Sequence, residues 1–494
     1  MQQSIDPSRP QIPTIMNFMS FLSLTSLCLG LIGPLMAEPV GHAQGEFAGE
    51  VTATSVLLQS RLTAIQGPAL APDGDVAGAA GVACFEWSEK NDLSGANRTA
   101  WIQAGPATDF IVRTRIDGHH EGTNYHYRLV FGADETHTQN GPIRHFKTLN
   151  PNDPNATLSF CMGNCMNYNA FMSGVANGDG PVTANAEDKL LGYPVFEAMR
   201  KLRPDFFIGA GDAVYYDKPA ANAARTLPQL RKKWHEQFRF PRLIDFFGSC
   251  STYWAKDDHD FRFDDADLAG ASRPTAVTGI GVFREQLPIF LATDQASPTY
   301  RTHRVHKHLQ LWFMEGRDYR SDNKMPDGPE KSIWGTVQKQ WLERTLLVSD
   351  ATWKVIITPT PMVGPDRASK RDNHTNPEGF QHEANAFFDW LIEQKMHNVL
   401  SFCGDRHWQY HSIHPRGFEE FSVGALNDEN SITGERPRGQ GSTDPQGLIK
   451  QPYIYEEPTG GFLYVTIGAD SKLVIGFFDD TGKMLHQVVK RAVR

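Results

Sequence analysis

Four stretches of this chain run from apolar residues into side chains that bind metals: residues 158–165 (LSFCMGNC), 206–217 (FFIGAGDAVYYD), 253–260 (YWAKDDHD) and 399–407 (VLSFCGDRH). The third carries the strongest signal. Asp257, Asp258 and Asp260 surround His259, and acids gathered so closely repel one another unless a cation neutralises them. A solvated acidic loop would carry the same letters, but Tyr253, Trp254 and Ala255 just before them read as a buried strand. In the second stretch Gly211 lets the backbone turn sharply after the strand and aims Asp212, whose two oxygens can bridge two cations. A Gly-Asp pair alone usually marks a turn. Tyr215 follows, and a phenolate suits ferric iron. In the fourth, Asp405 and His407 stand two residues apart and can offer an oxygen and a nitrogen to one metal. Cys165 ends the first stretch as a soft ligand; Cys161 and Cys165 could instead pair. Lone histidines are more often structural, which is the reading for His411 and His414 and for His303, His306 and His308 on an expected strand.

The elements that must position these groups are strands of an α/β sheet, beyond whose carboxyl ends ligands bind. Helices are expected around 186–202, 337–348 and 383–395, feeding strands at 206, 354–358 and 399–403. That βα alternation predicts a largely parallel, buried sheet. Residues 45–147 differ, since Tyr125, Tyr127, Leu129 and Phe131 alternate with His126, Arg128 and Val130, as in an antiparallel sandwich. Residues 150–154 (NPNDP) read as a linker, and 461–489 as a terminal hairpin turning at 480–482.

At 494 residues the chain exceeds one typical core. A net charge of −9 without a basic block excludes a general nucleic-acid binder. Residues 18–36 are apolar and small, which predicts a leader for export cleaved near Ala37–Glu38 or Ala43–Gln44, with a retained anchor as the alternative. Without the leader five cysteines remain, so at least one thiol is free.

Taken in order, Gly211–Asp212–Ala213–Val214–Tyr215, Lys256–Asp257–Asp258–His259–Asp260 and Gly404–Asp405–Arg406–His407, preceded by Asn164–Cys165, resemble the alkaline phosphatase D (PhoD-like) metallophosphatases. Residues 315–320 (EGRDYR) and Glu420 resemble further family segments, with Glu315 where Asp is usual, Lys256 where Trp is usual and Asn164 where Ser is usual. The resemblance implies an α/β (α+β) fold, a metallophosphatase-type two-sheet sandwich flanked by helices, over 150–494. An N-terminal antiparallel β-sandwich over 44–149 and a leader over 1–43 would precede it. It implies two or more metal ions, Fe(III) with Ca²⁺ or another divalent cation, held by Cys165, Asp212, Tyr215, Asp258, Asp405 and His407. His259 would stand near the leaving group, and Arg317 and Arg406 are candidate phosphate clamps. Arg367 or Lys370 could touch substrate from the 364–374 loop. The implied function is an exported phosphohydrolase cleaving small phosphate mono- or diesters by metal-activated hydroxide attack. Specialisation for phospholipids or nucleotides is the enzymatic alternative, and a catalytically silent surface-binding protein the non-enzymatic one. No specific nucleic-acid binding and no membrane span after leader cleavage are expected.

Overall fold

The computed structural model describes residues 40–493 except positions 68, 292 and 295. The expected leader therefore lies outside the described residues up to position 39. The apolar runs at 158, 206 and 251 pair in parallel at the centre of a nine-stranded sheet. Its strand order is Met484–Lys490, Leu473–Asp479, Gly461–Ile467, Leu158–Gly163, Phe206–Ala210, Ser251–Ala255, Glu46–Gly49, Ser55–Arg61 and Ile111–Asp117. A seven-stranded sheet orders Arg301–His306, Leu309–Phe313, Trp353–Thr358, Val399–Cys403, Glu419–Val423, Gln409–Ile413 and Lys450–Ile454.

These strands lack a polar face because both of their faces are covered. Side chains alternate between faces, so Phe160, Met162 and Ile208 share one buried cluster with Phe313, Val355, Ile357 and Phe402 of the other sheet. Cys161, Phe207 and Trp254 turn the other way, into a cluster with residues of the helices Pro194–Leu202, Leu227–Phe238 and Pro241–Phe247. Trp312 and Ile356 do the same with the helices Gly335–Val348 and Gln381–Glu393. Each large apolar side chain so buried stabilises the fold by about 1.5–3 kcal/mol. Two sheets face to face with helices outside is the architecture expected.

The helix expected over 186–202 is two helices, Ala186–Leu191 and Pro194–Leu202. Gly192 closes the first at a φ of 92° and Pro194 opens the second, the usual stop and start residues. The strands before residue 150 divide between sheets. Gly81–Ser88 and Asn124–Asp134 centre a six-stranded antiparallel sheet. Glu46–Gly49, Ser55–Arg61 and Ile111–Asp117 extend the nine-stranded one, with Gly49 opposite Thr252. The alternation of Tyr125, Tyr127, Leu129 and Phe131 places all four in one buried cluster with Val56, Leu58 and Val112. The terminal strands Leu473–Asp479 and Met484–Lys490 turn at 480–482, as the sequence predicts.

Glu50, just after the Glu46–Gly49 strand, fastens the two large sheets together. Its carboxylate accepts from Arg301 at 2.5 and 2.8 Å and meets His303 Nε2 at 2.9 Å. Burial opposes its ionisation, yet Arg301 and His303 hold the carboxyl down from 4.5 to about 2. A depressed carboxyl stabilises the fold above its unfolded value and loses that contribution as pH falls through the folded one. The stabilisation of wild type over Glu50→Gln should be about 3 kcal/mol at neutral pH, and should shrink from about pH 4.5 down toward pH 2. Urea unfolding at several pH values measures it.

Candidate metal centre

Three candidate ligands occupy backbone that side chains rarely adopt. Cys165, Asp212 and Asp405 have φ values of 54°, 53° and 61°, a left-handed conformation that costs roughly 1–3 kcal/mol at each non-glycine residue. Each lies within two residues of a central strand's end. Gly211, at φ 106°, has no space for a side chain, since a Cβ would come within 2.6 Å of Asp257 Cβ. A Cβ on Gly404 would lie 2.5 Å from the Ala210 carbonyl, so the 404 and 210 tips touch across the two sheets.

Backbone hydrogen bonds lock these tips together. Cys165 N–H donates to Gly211 O at 3.3 Å, Met166 N–H to Asp212 O at 3.0 Å and Tyr216 N–H to His259 O at 3.1 Å. Asp260 braces the centre from below, accepting from Ala213 N–H at 3.0 Å and Asp257 N–H at 2.7 Å. Its burial pushes its carboxyl up to about 7.

Donor atoms within 4.8 Å of one another form the groups Cys165/Asp212/His407, Asp212/Asp258/His259, Asp257/Asp258/Asp405 and Asp258/Asp264/Asp265. The first three chain together through Asp212 and Asp258, as a polynuclear site requires of its bridging carboxylates. Cys165 Sγ lies 3.3 Å from Asp212 Oδ2, and the Tyr215 hydroxyl 3.4 Å from His407 Nε2. The Tyr215 and His259 rings stack at 4.1 Å. Thus all six ligand candidates and His259 converge at one seam. Cys165, Asp212, Asp258 and His259 come from the nine-stranded sheet, and Asp405 and His407 from the seven-stranded one. All five described cysteines are free and buried, so Cys161 and Cys165 do not pair.

The electrostatics describe a site short of positive charge. Burial and the neighbouring Asp258 push the Asp212 carboxyl well above the usual range. Burial works against ionisation of Asp258 too, yet His259 and Arg317 hold it low. Asp258 Oδ1 and Asp257 Oδ2 are buried with no hydrogen-bond partner. Such orphaned anionic oxygens, beside a thiol, a phenol and an imidazole, fit a metal centre. Burial, with Arg406 and His259 nearby, lowers His407 to about 3 and keeps its imidazole neutral, the form that ligates.

Arg317 and Arg406 hold carboxylates in this structure. Arg317 donates to Asp257 at 2.6 Å and Asp372 at 3.2 Å, and Arg406 to Asp366 at 2.6 Å and to Asp405. Lys370 reaches Asp265 at 2.5 Å and Asp264 at 3.1 Å. Glu420 accepts from the N–H groups of Met362, Val363 and Gly364 at 2.6–3.0 Å, anchoring the start of the 364–374 loop. The sequence reading passed over Asp217, which meets His259 Nδ1 at 2.7 Å, although it lies two residues past Tyr215. It also passed over Asp366, Asp372 and Asn430, which no local motif marks.

The model describing PhoD-like phosphatases matches residues 163–453, which hold every candidate ligand. The chain belongs to the PhoD-like phosphatase family. Among solved structures, PhoD superimposes with a TM-score of 0.70 at 17% identity, covering 93% of this chain and 90% of that one. Purple acid phosphatase PPD1 from yellow lupin (Lupinus luteus) seeds gives 0.57 at 11% identity, covering 90% and 73%. Both likenesses are of fold. A search of the curated proteins by sequence found no match.

Two departures from the PhoD-like pattern prove to be partners. Lys256, where Trp is usual, donates to Glu315, where Asp is usual, at 2.8 Å, and to Asp318 at 2.6 Å. Lys256 and Glu315 side chains are 0% and 2% exposed. Glu315 also accepts from the Arg317 N–H at 2.7 Å, so the triad sets the arginine that holds Asp257. Burial disfavours the ammonium, but Asp318 and Glu315 outweigh it and raise its pKa. Lys256→Met, which leaves two buried acids unpaired, should cost about 3–5 kcal/mol. Adding Glu315→Gln and Asp318→Asn should restore most of it. Urea unfolding of the single and triple variants measures both, and equal losses would show that the charges are not coupled.

Proposed function

We propose that this PhoD-like phosphatase is an exported, metal-dependent hydrolase of small phosphate mono- or diesters. The observation that carries this reading is the sharing of Asp212 and Asp258 among adjoining donor groups at one seam. Cys165, Tyr215 and His407, with Asp212, supply the thiolate, phenolate, imidazole and carboxylate suited to ferric iron. The carboxylates of Asp257, Asp258, Asp405 and Asp265 offer the all-oxygen environment that suits calcium. Bound there, such cations would supply a water acidified at neutral pH and a charge that polarises the phosphoryl oxygens.

The chain's own residues supply the rest. Asp217 fixes His259 through Nδ1, which leaves Nε2 to hold a proton. With Nδ1 tied to Asp217, His259 is placed to act through Nε2 as a general acid for the departing oxygen, worth roughly 10²–10⁴-fold. Arg317 and Arg406 act by orienting Asp257 and Asp405. For export, cleavage near Ala37 is favoured over cleavage after Ala43 because it keeps the contacts of residues 41 and 43. Gly41 pairs with Thr63 at 2.6 and 2.8 Å, and Ala43 N–H donates to the Thr63 hydroxyl at 3.0 Å. Cleavage after Ala43 would strip these away. Among the described residues no helix is long and apolar enough to cross a membrane.

Elemental analysis read with turnover of an aryl phosphomonoester and diester tests the reading. At least two bound metal ions per chain are expected, with hydrolysis of at least one ester that disappears on chelation. Activity that survives complete metal removal would refute it. His259→Ala should keep the metals and lose roughly 10²–10⁴-fold in kcat, whereas Asp212→Ala should lose metal and turnover together.

A further inference from the structure

Asn430 ends the short turn Asp428–Asn430 and is fully buried. Its side-chain amide nitrogen lies 3.1 Å from the Cys165 carbonyl oxygen and 3.0 Å from the Tyr215 phenolic oxygen. Its amide oxygen accepts from the Nδ2 groups of Asn167 at 3.1 Å and Asn177 at 3.0 Å. The two ends of an asparagine amide have nearly the same shape, so their partners must decide which is which. Here they do. A backbone carbonyl only accepts, so the group facing Cys165 O is the NH₂. Asn167 is fixed independently, because its Oδ1 accepts from Ala170 N–H at 3.0 Å as the N-cap of the Tyr168–Ser173 helix. Its NH₂ is left to face Asn430, in agreement with the first assignment.

The same NH₂ of Asn430 faces the Tyr215 oxygen, and an NH₂ cannot accept. Tyr215 is thereby held as an acceptor at that oxygen, with the amide donating into the lone pairs of the atom offered to the metal. We propose that Asn430 is a positioning residue of the centre, which ties the Tyr215 phenolate to the Cys165 backbone and moderates its electron donation to a bound ferric ion. The proposal rests on the reading of Tyr215 as a ligand. Hydrogen bonds to a ligand atom orient it and tune the metal's electronic properties. A phenolate that accepts such a bond is the weaker donor, and its charge-transfer absorption to iron moves to higher energy. The polar chain behind it, Asn167 and Asn177, keeps the amide from rotating.

The test uses the whole chain loaded with ferric iron alone, reading iron stoichiometry, the phenolate-to-iron absorption band and a thermal melt. Asn430→Leu should still bind iron, with its band moved to longer wavelength. Asn430→Asp, which has the same shape but turns an oxygen on both neighbours, should weaken iron retention roughly 10–100-fold. If the leucine variant does not fold, the aspartate variant decides: unchanged retention and an unmoved band overturn the proposal. So does an unmoved band in an iron-loaded, folded leucine variant. A wild-type protein that binds metal and hydrolyses esters but shows no phenolate band overturns this inference alone. One that binds no metal and hydrolyses nothing overturns the proposed function as well.

Discussion

Asp212 and Asp258 share a pocket from which water is nearly excluded, and their mutual repulsion is the constraint around which the rest is arranged. Two unit charges about 4 Å apart interact with about 4 kcal/mol at the effective dielectric of a protein site. His259 and Arg317 relieve part of this for Asp258, and Asp212 remains the group driven toward protonation. One oxygen of Asp258 and one of the neighbouring Asp257 accept no hydrogen bond. A multiply charged cation satisfies these demands together, which is why the acids can be gathered here at the cost of left-handed backbone at three ligand positions.

The fold meets that cost by burying both faces of each large sheet. Because the ligands divide between the sheets, the centre exists only while the sheets stay in register against each other. The buried cluster that joins the sheets includes Phe160, Ile208, Ile357 and Phe402. Glu50 adds a charged fastening, and Gly404 packs so near the Ala210 carbonyl that no side chain would fit between the tips. Around the ligands stand charged and amide groups that set how Asp257, Asp405, His259 and Tyr215 point: Arg317 with Asp372, Arg406 with Asp366, Asp217 and Asn430.

Much of this is legible in the sequence where the signal is local. A buried strand, a tight turn and an acid or thiol follow one another within a few residues, so Cys165, Asp212, Asp258 and Asp405 could be named from the chain alone. What the sequence hides is pairing over distance. The β pattern over 45–147 covers Glu46–Gly49 and Ile111–Asp117, but their membership in the nine-stranded sheet is settled by contacts such as Gly49 with Thr252. Asn430 reaches Cys165 across 265 residues, and nothing in its neighbourhood announces that. An arginine reads alike whether it faces a phosphate or a carboxylate, so the occupied state of Arg317 and Arg406 appears only in three dimensions. Likewise Lys256 and Glu315 look like two unrelated departures until the 2.8 Å contact between them is seen.

Strand tips from the two sheets are held to share cations at one seam. Anomalous scattering from crystals of the purified, metal-loaded protein would locate those cations. At least two metal peaks are expected, one within bonding distance of Cys165 Sγ, Asp212 and His407 and the next sharing Asp212 or Asp258. Peaks confined to other surfaces, with this cluster empty in an active preparation, would contradict that sharing.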